Sequence, residues 1–278
     1  MRSMSLTCGA CRQSLDRQET YFGAQAIGNI INAFSRVDSR DASIFTTMAA
    51  ACLRTRPGDF DSQGISSILN AYAKRPLQQQ PDGQVAPGLV SHLSEAILSI
   101  HPRDWSAQSV GITVNALARL KWGIEEGDRV LASEVYRHMA TCGYELSTSV
   151  LDVQAVSNIA NAFCKPVVRQ CVGDCGELNA LMQRLVRAGL DLPPEGFTPQ
   201  GVALVARALL GRQEGDTPEG ALADYRAGGG SDVLAQRLCM VAQGLPPEDY
   251  SLQAVAVLCS TFVGGIVPLG GEARGLFR

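Results

Sequence analysis

The segment Trp105-Ser106-Ala107-Gln108-Ser109-Val110-Gly111-Ile112-Thr113-Val114-Asn115-Ala116-Leu117-Ala118-Arg119 decides how the chain is read. Two other stretches repeat its frame closely, Phe60–Lys74 (FDSQGISSILNAYAK) and Leu151–Lys165 (LDVQAVSNIANAFCK). In each, a bulky apolar residue precedes a small polar one. A glutamine stands two positions further on, and apolar positions then lead to Asn-Ala. Phe22–Arg36, Phe197–Gly211 and Tyr250–Gly264 follow the same frame with more drift. The anchoring glutamines Gln25, Gln63, Gln108, Gln154, Gln200 and Gln253 are 38, 45, 46, 46 and 53 residues apart. A recurrence of this length is the mark of a stacked array, in which each unit buries its apolar face against its neighbours.

The frame has helical periodicity. With Gln as position 0, apolar residues fall at +2, +5, +6 and +9, as in Ile65, Ile68, Leu69 and Tyr72 or Val156, Ile159, Ala160 and Phe163. At 100° per residue these occupy one stripe about 100° wide. The residue two before Gln is Asp61, Ser106, Asp152, Thr198 or Ser251, all types that cap free amides at a helix start; only the first copy, with Gly23, lacks one. Each such helix A is followed by a polar or Gly/Pro-rich connector and a second amphipathic segment, helix B. The B segments are Ala42–Thr55, Gly88–Ile100, Asp128–Thr141, Gly176–Gly189 and Ser231–Gln243, with Pro57, Pro102, Gly143, Gly189 and Gly244 as stop signals. The sixth helix A has no B partner.

The expected fold is therefore all-α: an α-solenoid of about six degenerate helix-turn-helix repeats spanning residues 19–278. Helix A recurs near 22–36, 60–74, 105–119, 151–165, 197–211 and 250–264. Residues 1–18 carry Arg2, Arg12 and Arg17 with no acid before Asp16, which suits a transit peptide or a disordered N-terminus. No apolar run reaches the roughly 18 residues of a membrane span. Nine scattered cysteines argue for a reducing compartment over a disulfide framework. Cys8 and Cys11 have the spacing of half a zinc site, and Cys171 with Cys175 is a conceivable other half, but no regular ligand spacing surrounds them; idle thiols are expected and no metal or cofactor is assigned.

The side of helix A opposite the apolar stripe carries the chemistry. Positions 0, +7 and +11 lie within about 40° of one another around the helix. The first four copies place Gln25, Asn32 and Arg36; Gln63, Asn70 and Lys74; Gln108, Asn115 and Arg119; and Gln154, Asn161 and Lys165 there. The fifth retains Gln200 with Arg207, while Gly211 and Gly264 replace the basic residue in the last two copies. Amide side chains offer paired donors and acceptors to base edges, and cations meet phosphates, so these residues are the expected RNA contacts. A purely structural use stands beside that: the cations complement the helix dipole, the glutamines bond a neighbouring connector, and Asn-Ala packs between A helices. The net charge of −3 excludes bulk electrostatic attraction to nucleic acid, so any basic surface is local.

The frame aromatic-x-x-Gln-x-apolar-x-x-apolar-x-Asn-Ala-apolar-Ala-Lys/Arg resembles the octotricopeptide and heptatricopeptide repeats of organellar proteins. Those share the architecture of pentatricopeptide proteins. The resemblance implies organellar RNA as the ligand, rRNA in particular. It also implies neighbouring ribonucleoprotein subunits as partners, and a structural or assembly place in a mitochondrial ribosome. Except between the first two copies, the spacings exceed the repeat length usual in those families, and no RAP-like domain follows. The competing expectation is a protein-binding α-solenoid scaffold in an organellar assembly without RNA contact. No catalytic constellation is visible: His92, His101 and His138 are isolated, and no phosphate loop, metalloprotease helix or nucleophile elbow is present. The chain is expected to be neither an enzyme, a binder of a small-molecule substrate, nor inserted in a membrane.

Overall fold

The computed structural model describes residues 23–36, 42–74, 88–124, 126–173, 175–210 and 230–264. All regular structure among them is helical, in twelve α-helices and six short 3-10 turns. The helices built on the glutamine frame are α1 (Ala24–Arg36), α3 (Ser62–Lys74), α5 (Ala107–Arg119), α7 (Val153–Phe163), α10 (Pro199–Leu209) and α12 (Leu252–Gly264). Between them lie α2 (Ala42–Arg54), α4 (Leu89–Ser99), α6 (Arg129–Glu145), α8 (Pro166–Val172), α9 (Gly176–Asp191) and α11 (Gly230–Gly244). Phe22, Gly211 and the segment 1–18, with Cys8 and Cys11, fall outside the described residues.

Each expected cap forms. Asp61, Asp152, Thr198, Ser106 and Ser251 accept the amides of Gly64, Ala155, Gly201, Ser109 and Ala254 at 2.6–3.1 Å. The bulky residues before four of the caps, Phe60, Trp105, Leu151 and Phe197, are buried, and Tyr250 before the fifth is half-buried. Replacing Asp152 by Ala removes one acceptor from a free helix end and is expected to cost about 1 kcal/mol. A urea titration followed by circular dichroism measures it.

The apolar stripe points inward throughout. Ile65, Ile68, Leu69 and Tyr72 on α3, and Val156, Ile159, Ala160 and Phe163 on α7, are all buried. Consecutive A helices pack on one another, α1 on α3, α3 on α5, α5 on α7, α7 on α10 and α10 on α12. The B helices form a second row, α2 beside α4, then α6, α9 and α11, and each also touches the A helix of its own frame. Small residues allow the close approach. A side chain on Gly28 would meet the Gly64 backbone at 3.6 Å, and one on Gly201 would meet Val153 at 2.7 Å. Tyr72 ties the rows together by donating its hydroxyl to the Phe45 carbonyl at 2.6 Å.

Three expectations need correction. Gly143 and Gly189 do not stop their helices; α6 runs on to Glu145 and α9 to Asp191. Both glycines are buried contact points: a Cβ on Gly143 would crowd Leu181 of α9 at 3.0 Å, whereas Gly189 meets Leu234 of α11 at the ordinary contact distance of 3.6 Å. The fourth connector contains the extra helix α8, packed on α6. The frame also includes an unexpected element: a 3-10 turn before each later A helix, at Pro57–Asp59, Pro102–Asp104, Thr148–Val150, Pro194–Gly196 and Pro247–Asp249. Proline at the first position of four of them presets φ without sacrificing a needed donor.

Candidate functional site

Side-by-side A helices align their outward faces. Gln25, Gln63, Gln108, Gln154, Gln200 and Gln253 all lie toward solvent in the first turn of their helices. The +7 asparagines Asn32, Asn70, Asn115 and Asn161 are half-buried, flanked by neighbouring helices, while Arg36, Lys74, Arg119 and Arg207 are exposed.

On α1, α3 and α5 these residues meet in one groove of about 480 Å³. Its walls carry the amides of Asn32, Gln63, Asn70 and Gln108, the cations Arg36 and Lys74, and the hydroxyls of Ser62, Ser66, Ser67, Ser106 and Ser109. Ile112 is the apolar member and Asp104 the acidic one. Most of the hydroxyls are committed locally: Ser62 donates to the Asp104 carbonyl at 2.9 Å, Ser66 to the Gln63 carbonyl at 3.0 Å, and Ser106 to the Ser109 hydroxyl at 2.9 Å. The four amide side chains and two cations are not. Among the described residues none of them makes a side-chain hydrogen bond or ion pair with another residue.

Asn115 and Arg119 continue the same face on α5 but do not line this groove. The fourth set departs from expectation at Lys165. Helix α7 ends at Phe163, and Lys165 (φ −65°, ψ 138°) lies outside it as the N-cap of α8. The cause is Pro166, whose ring disfavours helical backbone in the residue before it. Lys165 is therefore not stacked above Gln154 and Asn161 on one helix face. Gln200 and Arg207 sit exposed on α10, and the capped helix ends at Leu209 before the +11 position is reached.

The histidines have a role that isolated sequence positions did not reveal. His92 on α4 bonds through Nε2 to the Thr55 carbonyl at 2.8 Å, and His138 on α6 to the Ile100 carbonyl at 3.1 Å. At the equivalent place on α9, Arg184 donates to the Leu146 carbonyl; on α11, Arg237 donates to the Leu192 carbonyl at 2.7 Å. All four carbonyls stand just beyond the end of the preceding B helix, where helices leave acceptors unpaired. The sequence signal is positional: each of these side chains lies 16 residues before the next anchoring glutamine.

Five of the described cysteines are held in the neutral thiol form by burial. Burial pushes the Cys52 and Cys142 thiols up to about 12, and it raises Cys171, Cys175 and Cys239 as well. Such groups stay protonated and are poor nucleophiles at neutral pH. Among the described residues no three His, Cys, Asp or Glu side chains gather as a metal-ligand set, and no helix is long and apolar enough to cross a membrane. None of the protein-family models, curated proteins or solved structures compared with the chain matches it.

Proposed function

We propose that this chain is a non-enzymatic α-solenoid of six degenerate helical repeats that binds RNA across its row of A helices. One observation carries the reading: the groove between α1, α3 and α5, where four amides and two cations from successive copies of one frame face outward without protein partners among the described residues. Polar side chains held in register and left unpaired are suited to an external ligand. Amides address base edges and cations address phosphates, which favours RNA over an apolar peptide. Helical repeats that read single-stranded RNA use a few side chains per unit in this manner.

The resemblance to octotricopeptide and heptatricopeptide repeats supplies the setting, an organelle and most naturally the mitochondrion. The acidic net charge suits a protein embedded among other ribonucleoprotein subunits more than a free-standing RNA binder. A structural or assembly place in a mitochondrial ribosome, touching rRNA, satisfies both.

A protein-scaffold reading has its own support at the far end of the row. Leu252 on α12 is 90% exposed, and Val255, Met240 and Val233 are exposed nearby in sequence on α12 and α11. The two readings separate on salt. Ultraviolet crosslinking in isolated organelles, followed by sequencing of the recovered RNA, is expected to return discrete rRNA segments. Binding of those segments in vitro is expected to weaken steeply between about 50 and 200 mM salt. Absence of crosslinked RNA above background would overturn the RNA reading in favour of the scaffold.

A further inference from the structure

The B row is fastened at one repeated position by two different chemistries. The junctions α2–α4 and α4–α6 are closed by imidazoles, His92 on Thr55 and His138 on Ile100. The junctions α6–α9 and α9–α11 are closed by guanidiniums, Arg184 on Leu146 and Arg237 on Leu192. A guanidinium keeps its charge at every accessible pH, whereas an imidazole changes charge between about pH 5 and 8. The imidazole junctions also lie behind the A helices α1, α3 and α5, whose outward faces form the polar groove. From this geometry we infer that the α4–α6 junction is an acid-sensitive joint, loosened by protonation of His138, while the arginine-closed junctions further along are not.

The surroundings of His138 fix the sign. The ring is half-buried between α6 and the end of α4, and that burial, the largest influence, holds its pKa below the ordinary histidine value. The bond to Ile100 opposes this and the neighbouring His101 reinforces it. Among the other charged groups on the packed elements, Arg103 of the Pro102–Asp104 turn is paired with Glu145 at 3.4 Å. Glu95 of α4 and Glu134 and Arg137 of α6 lie toward solvent, as do Asp104 of the turn, Arg119 of α5 and Glu177 of α9. Arg169 of α8 bonds the Cys164 sulfur. None of these acts on the His138 ring as burial, Ile100 and His101 do. A group whose pKa is lower in the closed state binds protons more readily when the joint opens. The closed joint is therefore favoured above about pH 6.5, the unfolded value, and loses that advantage as pH falls below it. This holds whatever the groove binds.

The test exchanges the two chemistries. Thermal unfolding of the full chain is followed at about pH 7.5 and pH 5.5, on either side of the imidazole's range, for the natural protein, His138→Arg and Arg184→His. The natural protein is expected to lose several degrees of Tm on acidification, and His138→Arg to lose measurably less. Arg184→His is expected to lose more, because a further imidazole joint has been installed. If His138→Arg keeps the full acid loss, or Arg184→His gains none, the inference is overturned. Should His138→Arg not fold, the Arg184→His comparison alone decides, with hydrogen exchange near Leu146 locating the opened junction.

Discussion

Gly123→Ala is expected to destabilise the protein by about 3 kcal/mol or more, a large share of a typical domain's stability. Two costs coincide at this residue. Its φ of +88° lies in the left-handed region, where a side chain is penalised by about 1–2 kcal/mol. The added Cβ would also sit 2.4 Å from Ala132 Cβ and 2.7 Å from Cys171 Sγ. Ala132 is anchored in α6, so the clash cannot be relieved by rotating a flexible side chain. The turn after α5 matters because it turns Trp122 inward: the indole is buried and lies 6.4 Å, centroid to centroid, from Tyr136 of α6. Gly88→Ala is the control. Its φ is +78°, but an added Cβ meets nothing within 4 Å, so only the conformational cost of about 1 kcal/mol is expected. Urea unfolding of both variants measures the difference, and equal losses would show that the clash with Ala132 and Cys171 is relieved at little cost.

If the groove binds RNA as proposed, reversing its two cations, Arg36→Glu with Lys74→Glu, is expected to weaken that binding by about 100-fold or more at physiological salt. Each charge-assisted bond to a phosphate contributes about 1.5–3 kcal/mol, and reversal adds repulsion. The salt dependence should flatten as well, its slope falling by about 0.7 for each phosphate of a single strand that is no longer neutralised. Both residues are exposed and at the last positions of their helices, so folding should change little beyond the missing dipole complement, a few tenths of a kcal/mol to about 1 kcal/mol each. Asn70→Ala with Gln63→Ala, which leaves charge untouched, should reduce discrimination between sequences more than overall affinity. Filter binding across a salt series, with circular dichroism to confirm folding, reads all of these. Unchanged affinity in the folded charge-reversed protein would remove the groove from any RNA contact. Arg187, exposed on α9 in the B row and away from this groove, is the surface control.

Much of the architecture was legible because it rests on local rules applied repeatedly. The 3.6-residue spacing of Ile65, Ile68, Leu69 and Tyr72 required one face of a helix to be buried, and that face is buried. The residues at the cap position, Asp61, Ser106, Asp152, Thr198 and Ser251, act as acceptors wherever the frame placed them. The restriction on Lys165 was also present in the sequence, in the proline that follows it, but periodicity alone extended the helix past Phe163. Gly143 and Gly189 show the opposite limit. Glycine near a helix end serves equally as a terminator or as a site of close packing, and only Leu181 and Leu234 lying above them distinguish the two.

The sequence by itself determined the A and B helices, the caps, the order of the frames and, Lys165 excepted, the polar positions on the A helices, since each depends on near neighbours along the chain. Tertiary structure decided which of those residues share one groove. It drew Asn32, Arg36, Gln63, Asn70, Lys74 and Gln108 together and left Asn115 and Arg119 outside. It also turned two isolated histidines into fastenings between B helices, 37 and 38 residues from the carbonyls they bind. The physical reason is the same in both cases. The spacing and rotation of adjacent helices are set by side-chain packing between frames, at contacts such as Gly28 against Gly64 and Gly201 against Val153, and no single frame contains that information.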